Sequence, residues 1–320
     1  MKKQRKSNFI SAIEARYPGL AEKIKGIIEE SEKKFSRDPE RTDSYLWEHS
    51  TQVASLSYAL ARAANMEPVI PAVAALFHDA GKFADGQYHD EERVEEEKSA
   101  SIADRMGREA GMKPGDVRRL TSGLRALYKQ SAAGNTVADI VHDADFLSKF
   151  GALGVANFFI KSTLRGKTLQ GALMSSLSKE LTYAACLPSN MRTRAGRLRA
   201  TRKSRDTLKF FRSLLRELRE TQVADFVIRP IRVYPESCPP RPADVQLAVP
   251  RCCQICGSRW TTAFRTEQGI KCEKLEAEIR CAGCGNAASF SFCLPEIPGR
   301  LREKSSLSQA FRKSQRRAFF

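Results

Sequence analysis

Residues 71–82, PAVAALFHDAGK, decide how this chain is read. An apolar run ends on the adjacent polar pair His78-Asp79, with Gly81 suited to stop a helix and Lys82 following it. Pro68 bounds the run on its other side, and no apolar stretch in the chain reaches 18 residues. It therefore reads as a buried helix and not as a membrane span. Two further segments carry the same signature of a polar residue among small and apolar neighbours. His49 lies in SYLWEHSTQVASLSYALARAA (44–64), and Asp145 lies in VADIVHDADFLSKFGALG (137–154). Together His49, His78, Asp79 and Asp145 make the spaced set H…HD…D. A single buried histidine is ordinarily just a hydrogen-bonded imidazole. Two imidazoles and two carboxylates taken jointly match a divalent-metal site that keeps open positions for water.

Helical periodicity extends well beyond these segments. Phe9, Ile13, Tyr17, Leu20, Ile24, Ile27 and Ile28 repeat at helical spacing over 8–35. Further helices are expected at 45–65, 69–80, 91–111, 114–128, 135–150, 168–184 and 202–221, punctuated by Pro68, Gly81, Gly111, Pro114 and Gly134-Asn135. Near 222 the character changes. VADFVIRPIRVYP is strand-like, with Pro230 demoting its centre to an edge or a break. ESCPPRPADVQLAVP (236–250) reads as a proline-rich connector, and the cysteine-rich segment after it alternates short strands with turns. The expected fold class is mainly α, a helical unit over 1–222, then a connector over 223–250, a small β-rich module over 251–298 and a basic tail over 299–320.

The segments EHSTQVA, LFHDAGK and HDADFLSKFGALG, in this order, resemble the HD-domain metal-dependent phosphohydrolases. EEEKSASIADRM (95–106) and MRTRAGRLRATRKSRDTLKFFRSLLREL (191–218) are similar to later segments of one bacterial branch, so the resemblance covers residues 10–222. It implies an HD helical bundle and an enzyme. That branch includes enzymes that cleave nucleoside triphosphates to monophosphate and pyrophosphate. The resemblance also implies that Asp79 orients the attacking water and that Asp145 matches the last metal-binding aspartate. Asp143, two residues earlier, would face another side of a helix, as a partner of the ligands or a surface charge. The nitrogen and oxygen donors suit Mn²⁺, Mg²⁺, Co²⁺, Ni²⁺ or Fe²⁺ better than a closed zinc site.

Other residues of these segments are candidates for phosphate and proton work. Lys82 is within reach of the HD helix end and can neutralise a phosphate. Arg197 matches a recurrent arginine of the resembling branch, and a forked guanidinium suits phosphate oxygens. Arg192, Arg194, Arg199 and Arg202 are interchangeable with it by sequence alone. Glu96 and Glu97 lie where the family places a helix lining the cleft, although glutamates of acidic runs usually face solvent. His142 and His89 complete the histidines, for phosphate, a second metal or a plain surface role.

Cys253-Gln-Ile-Cys256-Gly and Cys281-Ala-Gly-Cys284-Gly are two CxxCG turns separated by 24 residues. Paired thiolates at that spacing close a tetrahedral Zn²⁺ site, which makes the module zinc-ribbon-like and its metal structural. Gly257 and Gly285 are expected to let the backbone turn sharply and donate N–H groups toward sulfur. Cys252 offers a shifted ligand register, and Cys272 and Cys293 read as packing residues. A disulfide pair is the plainer alternative, disfavoured because the basic N-terminus lacks the apolar stretch of a secretory signal. The expected setting is cytoplasmic, with no transmembrane segment.

The formal charge of +17 is concentrated. Residues 188–220 hold eleven Lys and Arg against three Asp and Glu, and 300–320 hold seven against one. Clustered positive charge favours polyanions, namely nucleotides, RNA, DNA or an anionic membrane surface. Arg251, Arg259, Trp260, Phe264 and Arg265 interleave basic and aromatic side chains as base-stacking surfaces do, unless Trp260 and Phe264 are the ribbon's own core. Three functions follow. The leading one is a metal-dependent phosphohydrolase of nucleotides or related phosphate esters. The others are an HD nuclease or phosphodiesterase acting on RNA or DNA, and a nucleic-acid- or protein-binding adaptor with a regulatory HD site.

Overall fold

In a computed structural model the chain is described over residues 9–35, 43–84, 94–127, 134–233, 243–253, 255–268 and 273–294. The helices in chain order are α1 (Phe9–Arg16), α2 (Leu20–Phe35), α3 (Tyr45–Ala63), α4 (Val69–Phe77), α5 (Val94–Glu109), α6 (Pro114–Ala126), α7 (Thr136–Ser148), α8 (Gly151–Leu164), α9 (Leu169–Asn190) and α10 (Arg194–Glu220). The strands are β1 (Phe226–Val233), β2 (Ala243–Pro250), β3 (Trp260–Gln268), β4 (Glu273–Cys281) and β5 (Ala287–Cys293). The protein is thus a mainly helical unit followed by a small antiparallel β region, as expected. No helix among the described residues is long and apolar enough to cross a membrane.

All nine residues of α4 are buried. A helix without a polar face must be enclosed on every side, and α3, α6 and α7 pack around this one. Its start is closed by Glu67, whose carboxylate accepts from the Val69 N–H at 2.7 Å and the Ile70 N–H at 3.2 Å. Arg16 of α1 pairs with Glu67 at 2.9 Å and with Asp116 of α6 at 2.7 Å, tying the first helix to this core.

Four differences from the expected helix pattern have local causes. The periodic run over 8–35 breaks at Gly19, whose φ is +76°, and Glu14 caps the new helix by accepting from the Gly19 and Ala21 N–H groups. Helix α8 was not expected over 151–164. Its glycines hide it: Gly151 starts it at φ +77°, and a Cβ on Gly154 would collide with the Lys149 backbone. Helix α9 runs past 184 and carries Pro188 in its last turn. Proline removes the N–H that would bond Ala184 C=O, and the Ser204 hydroxyl of α10 donates to that carbonyl at 2.6 Å instead.

Helix α10 begins at Arg194, ahead of the expected 202, because α7 holds its start. Asp143 is fully buried and accepts from the Arg192 N–H at 2.8 Å, the Thr193 N–H at 2.8 Å and the Thr193 hydroxyl at 2.7 Å. A carboxylate at a helix N-terminus also meets favourable backbone dipoles. The surface-charge reading of Asp143 is therefore replaced by a buried clamp between two helices.

The stretch expected to be a connector forms a hairpin. Strands β1 and β2 pair antiparallel from Phe226↔Pro250 to Val233↔Ala243, with Pro230 opposite Gln246 in a two-stranded sheet where each strand is an edge. Ser178 and Thr182 of α9 accept from the Ala248 and Gln246 N–H groups, both at 2.9 Å. Strands β3, β4 and β5 form a separate antiparallel sheet whose Leu275, Ile279, Phe290 and Phe292 pack on Val233, Val245, Leu247 and Val249 of the hairpin.

Asp143→Ala leaves three half-buried donors without their acceptor. It is expected to destabilise the fold by about 3 kcal/mol. Urea unfolding followed by circular dichroism measures this, and an unchanged midpoint would remove Asp143 as a clamp.

Candidate functional site

The enclosure of α4 brings three elements to one end of it. Helix α3 supplies His49, the turn after α4 supplies His78 and Asp79, and α7 supplies Asp145, all buried. His49, His78 and Asp79 present ligand atoms within 4.8 Å of one another. Asp145 joins them through Oδ1, 3.3 Å from His49 Nε2 and 3.9 Å from His78 Nε2. Asp79 lies 3.7 Å from His49 Nε2 and 3.4 Å from His78 Nε2.

The turn carrying His78-Asp79 is fixed from α5. Ser99 Oγ accepts from the Gly81 N–H at 2.9 Å and donates to His78 C=O at 3.0 Å. Only glycine fits at 81, because a Cβ there would run into the Glu95 carbonyl. His78 Nδ1 lies 2.7 Å from Ala75 C=O and so holds the proton, which leaves the lone pair on Nε2. That Nε2 is buried with no hydrogen-bond partner. A buried acceptor without a donor is costly, and a cation among these donors would satisfy it. The residues fit a divalent metal.

The electrostatics favour the same form. Burial pushes the His49 pKa down and keeps its imidazole neutral. Burial works against ionising Asp79 as well, but its closeness to the His78 imidazole, Lys82 and the His49 imidazole outweighs it and holds its pKa below the usual range. Asp145 is likewise held well below that range, burial being outweighed by Lys149 and His49. Lys149 Nζ lies 2.6 Å from Asp145 Oδ2.

Lys82 reaches the cluster as expected, 3.2 Å from Asp79 and 3.7 Å from Glu95. Glu95 was not singled out in the sequence, where Glu96 and Glu97 were. Burial and the neighbouring Asp79 push its pKa up to about 8. The usable signal was spacing: Glu95 and Ser99 are four apart, so both face the HD turn. Glu97 instead faces outward and grips Arg125 at 2.7 Å, and Glu96 is half-buried.

A cationic rim was also missed. Lys161 of α8 stacks over the Tyr45 ring at 5.1 Å, and burial followed by the charges of Lys149 and Lys82 lowers its pKa to about 8. The Tyr45 hydroxyl is buried without a hydrogen-bond partner, and burial raises its pKa. Lys161 escaped notice because it sits in the helix hidden by its glycines. Arg197 is exposed and donates to Met191 C=O at 3.0 Å, next to the start of α10. His142 is buried against Phe146 and beside Asp143, which ends its surface reading, while His89 lies outside the described residues.

A second cluster forms in the β region. Cys253, Cys256, Cys281 and Cys284 bring their sulfurs within 4.8 Å of one another, with 3.7 Å between Cys253 and Cys284 and 3.4 Å between Cys256 and Cys281. Cys252 is exposed and bridges to Arg259, outside this set. The two turns match: Gly257 and Gly285 have φ of +71° and +72°. Their N–H groups donate to Cys253 and Cys281 carbonyls, however, because each closes its own turn; the sulfur of Cys281 accepts from Gly283. The Ser258 hydroxyl lowers the Cys256 pKa to about 6, favouring thiolate. Cys293 is disulfide-bonded and not a mere packing residue; Cys272 and Cys238 lie outside the described residues. Trp260 packs on the β core, Arg265 pairs with Glu276 at 2.6 Å and Arg251 with Asp225 at 2.7 Å, so the basic-aromatic interleaving is largely engaged within the fold.

Residues 46–148, which include all four expected HD ligands, match the family model described as the HD domain. The match supports a metal-dependent hydrolase. Among solved structures, the chain is similar to Bacillus subtilis YpgQ in complex with ADP, at 22% identity over 64% of this chain and 96% of that one, with a TM-score of 0.47. It is also similar to a protein from an uncultured Thermotogales bacterium described as a predicted HD superfamily hydrolase, at 19% identity over 65% and 98%, with a TM-score of 0.46. A third likeness is to an HD-superfamily hydrolase from Bacillus thuringiensis, at 19% identity over 62% and 98%, with a TM-score of 0.44. No curated protein matches.

Proposed function

We propose that this protein is a divalent-metal-dependent phosphohydrolase of nucleotides, whose favoured reaction is hydrolysis of a nucleoside triphosphate to monophosphate and pyrophosphate. The observation that carries this reading is the joining of a neutral-imidazole and carboxylate cluster to a rim of Lys82, Lys149, Lys161 and Tyr45. Positive charge beside a cation site suits a substrate with several phosphate charges better than a neutral ester.

His49, His78, Asp79 and Asp145 would hold the ion, drawn from Mn²⁺, Mg²⁺, Co²⁺, Ni²⁺ or Fe²⁺. The ion supplies Lewis-acid charge for the phosphoryl oxygens and activates water. The chain's own groups do the rest. Asp79 orients the attacking water, and Lys82 and Lys149 offset charge on the phosphates. The Tyr45 hydroxyl donates a hydrogen bond that its present surroundings leave unused. Glu95, whose pKa burial and the neighbouring Asp79 push up to about 8, lies beside Lys82 and is placed to exchange a proton with an oxygen gaining charge. The four thiolates are proposed to hold Zn²⁺ as a closed tetrahedral site, structural in role.

Purified protein with Mn²⁺ is expected to release pyrophosphate from nucleoside triphosphates, and His78→Ala or Asp79→Ala to lower kcat by at least about 100-fold. Colorimetric pyrophosphate detection over a panel of nucleotides and short nucleic acids tests this. Cleavage of polynucleotides with no turnover of free nucleotides would replace it with the nuclease reading. Lys161 gives a pH prediction whose sign is fixed. A lysine with pKa near 8 is charged below that value and neutral above it, so KM for the nucleotide is expected to rise as pH passes about 8. Lys161→Met should raise KM at pH 7 and flatten this rise, while an unaltered profile would exclude Lys161 from the phosphate rim. For the β region, elemental analysis is expected to find zinc that Cys256→Ser or Cys284→Ser removes.

A further inference from the structure

Helix α10 is buried along Gly196, Ala200, Ser204, Thr207, Phe211, Leu215 and Leu218. Each helical residue turns about 100°, so a position two before a buried one lies almost opposite to it. Those positions include Arg194, Arg202, Arg205, Lys209 and Arg216, all exposed, and Arg212 falls on the same arc. At a rise of 1.5 Å per residue, the ridge from Arg194 to Arg216 is about 33 Å long. Its charge is largely left uncompensated. Among the described residues, Arg194, Arg202, Lys209, Arg212 and Arg216 form no ion pair, in contrast to the paired Arg251 and Arg265 of the β region. Asp206 and Glu217 lie off the ridge, about 120° and about 140° round from Arg212. At the ridge's far end, Arg212, Arg216, Arg219 and Glu220 line a groove closed on its other wall by Arg251 and the apolar start of β1, with Arg219 and Arg251 both paired to Asp225.

We propose that this ridge is a docking surface for double-stranded DNA. Five of its six cations are guanidinium groups, which fork onto phosphate oxygens, and its length matches about one turn of B-form duplex, roughly 34 Å. The competing polyanions fit it less well. Single strands are held by stacking on aromatic rings, and the ridge carries none. A lipid surface takes an amphipathic helix by its apolar side, and here Leu198 is the one large apolar residue within the arc. The major groove of an A-form RNA duplex is too narrow and deep for such a ridge, whereas that of B-DNA admits a helix. This surface is independent of the hydrolytic reading, because none of its residues belongs to the metal cluster or its rim.

The test is fluorescence anisotropy of the full chain with a labelled DNA duplex of about two turns, titrated over roughly 50 to 200 mM salt. The wild-type protein is expected to bind, with an affinity that falls steeply with salt. Removing one cation that sits on a phosphate lowers the salt slope by about one. The triple variant Arg205→Ala, Lys209→Ala, Arg216→Ala is therefore expected to reduce the slope by about three and affinity at the lowest salt by at least about 100-fold. Circular dichroism and nucleotide turnover are measured on the same variant, and both are expected to match wild type. Turnover failing in both proteins would speak against the hydrolytic reading alone. The DNA proposal falls if wild-type protein does not bind the duplex, or if the triple variant binds within twofold of it, which would place binding on the basic tail. It falls equally if single-stranded DNA, an RNA duplex or vesicles of anionic phospholipid bind more tightly than duplex DNA.

Discussion

Val69–Phe77 has no side that tolerates water, and the helical unit is arranged around that constraint. Enclosing such a helix takes neighbours on all sides, each contributing apolar surface at roughly 25 cal/mol per Å² buried. The same enclosure makes the end of α4 a place where polar groups meet without solvent. His49, His78, Asp79 and Asp145 are buried there because their helices are packed for other reasons. Burial then acts on their chemistry: it keeps His49 neutral, and it is overcome at the two aspartates by the neighbouring lysines and imidazoles. A site of this kind is incomplete as protein alone, which is what the unpartnered His78 Nε2 records.

The residues that ligand chemistry demands were legible in the sequence, because histidine and aspartate among small apolar neighbours are costly unless used. The cysteine turns were legible for the same reason, since paired thiols followed by a glycine suit little besides a metal. What surrounds the HD cluster was less readable. Glu95 was masked by Glu96 and Glu97, which share its composition but not its direction from the helix axis. Lys161 was masked because Gly151 and Gly154 lower the helical signal of α8, though Gly151 answers a positive φ and Gly154 a close approach to the Lys149 backbone. Asp143 looked like a neighbour of the ligands and is instead a clamp on a residue pair fifty positions away. Long-range partners of this kind leave no local pattern.

Helix α9 packs against the β region on one side and lies near the helical cluster's lysines on another. One side offers Ser178 and Thr182 to β2, and the Tyr183 hydroxyl donates to Cys293 C=O at 2.6 Å. Another side carries Lys179 and Glu180, whose charges act on each other and on those of Lys149 and Lys161. Burial lowers the Lys179 pKa and raises that of Glu180, so this pair is sensitive to how the helix is seated. The Ala184 carbonyl left without its N–H by Pro188 is taken up by Ser204, which ties α9 to α10 close to the Asp143 clamp.

The hydroxyls of Ser178 and Thr182 have an effect beyond seating the hairpin. A two-stranded ribbon exposes backbone donors on its outer edges, and such an edge is a template on which another chain can add a strand. In this protein two N–H groups on the outer edge of β2 are already engaged by a helix that cannot extend the ladder. Short hydroxyl side chains on α9 thus act as a guard against self-association of the sheet. Replacing them with alanine would leave the nearby core almost unchanged while opening a route to aggregation.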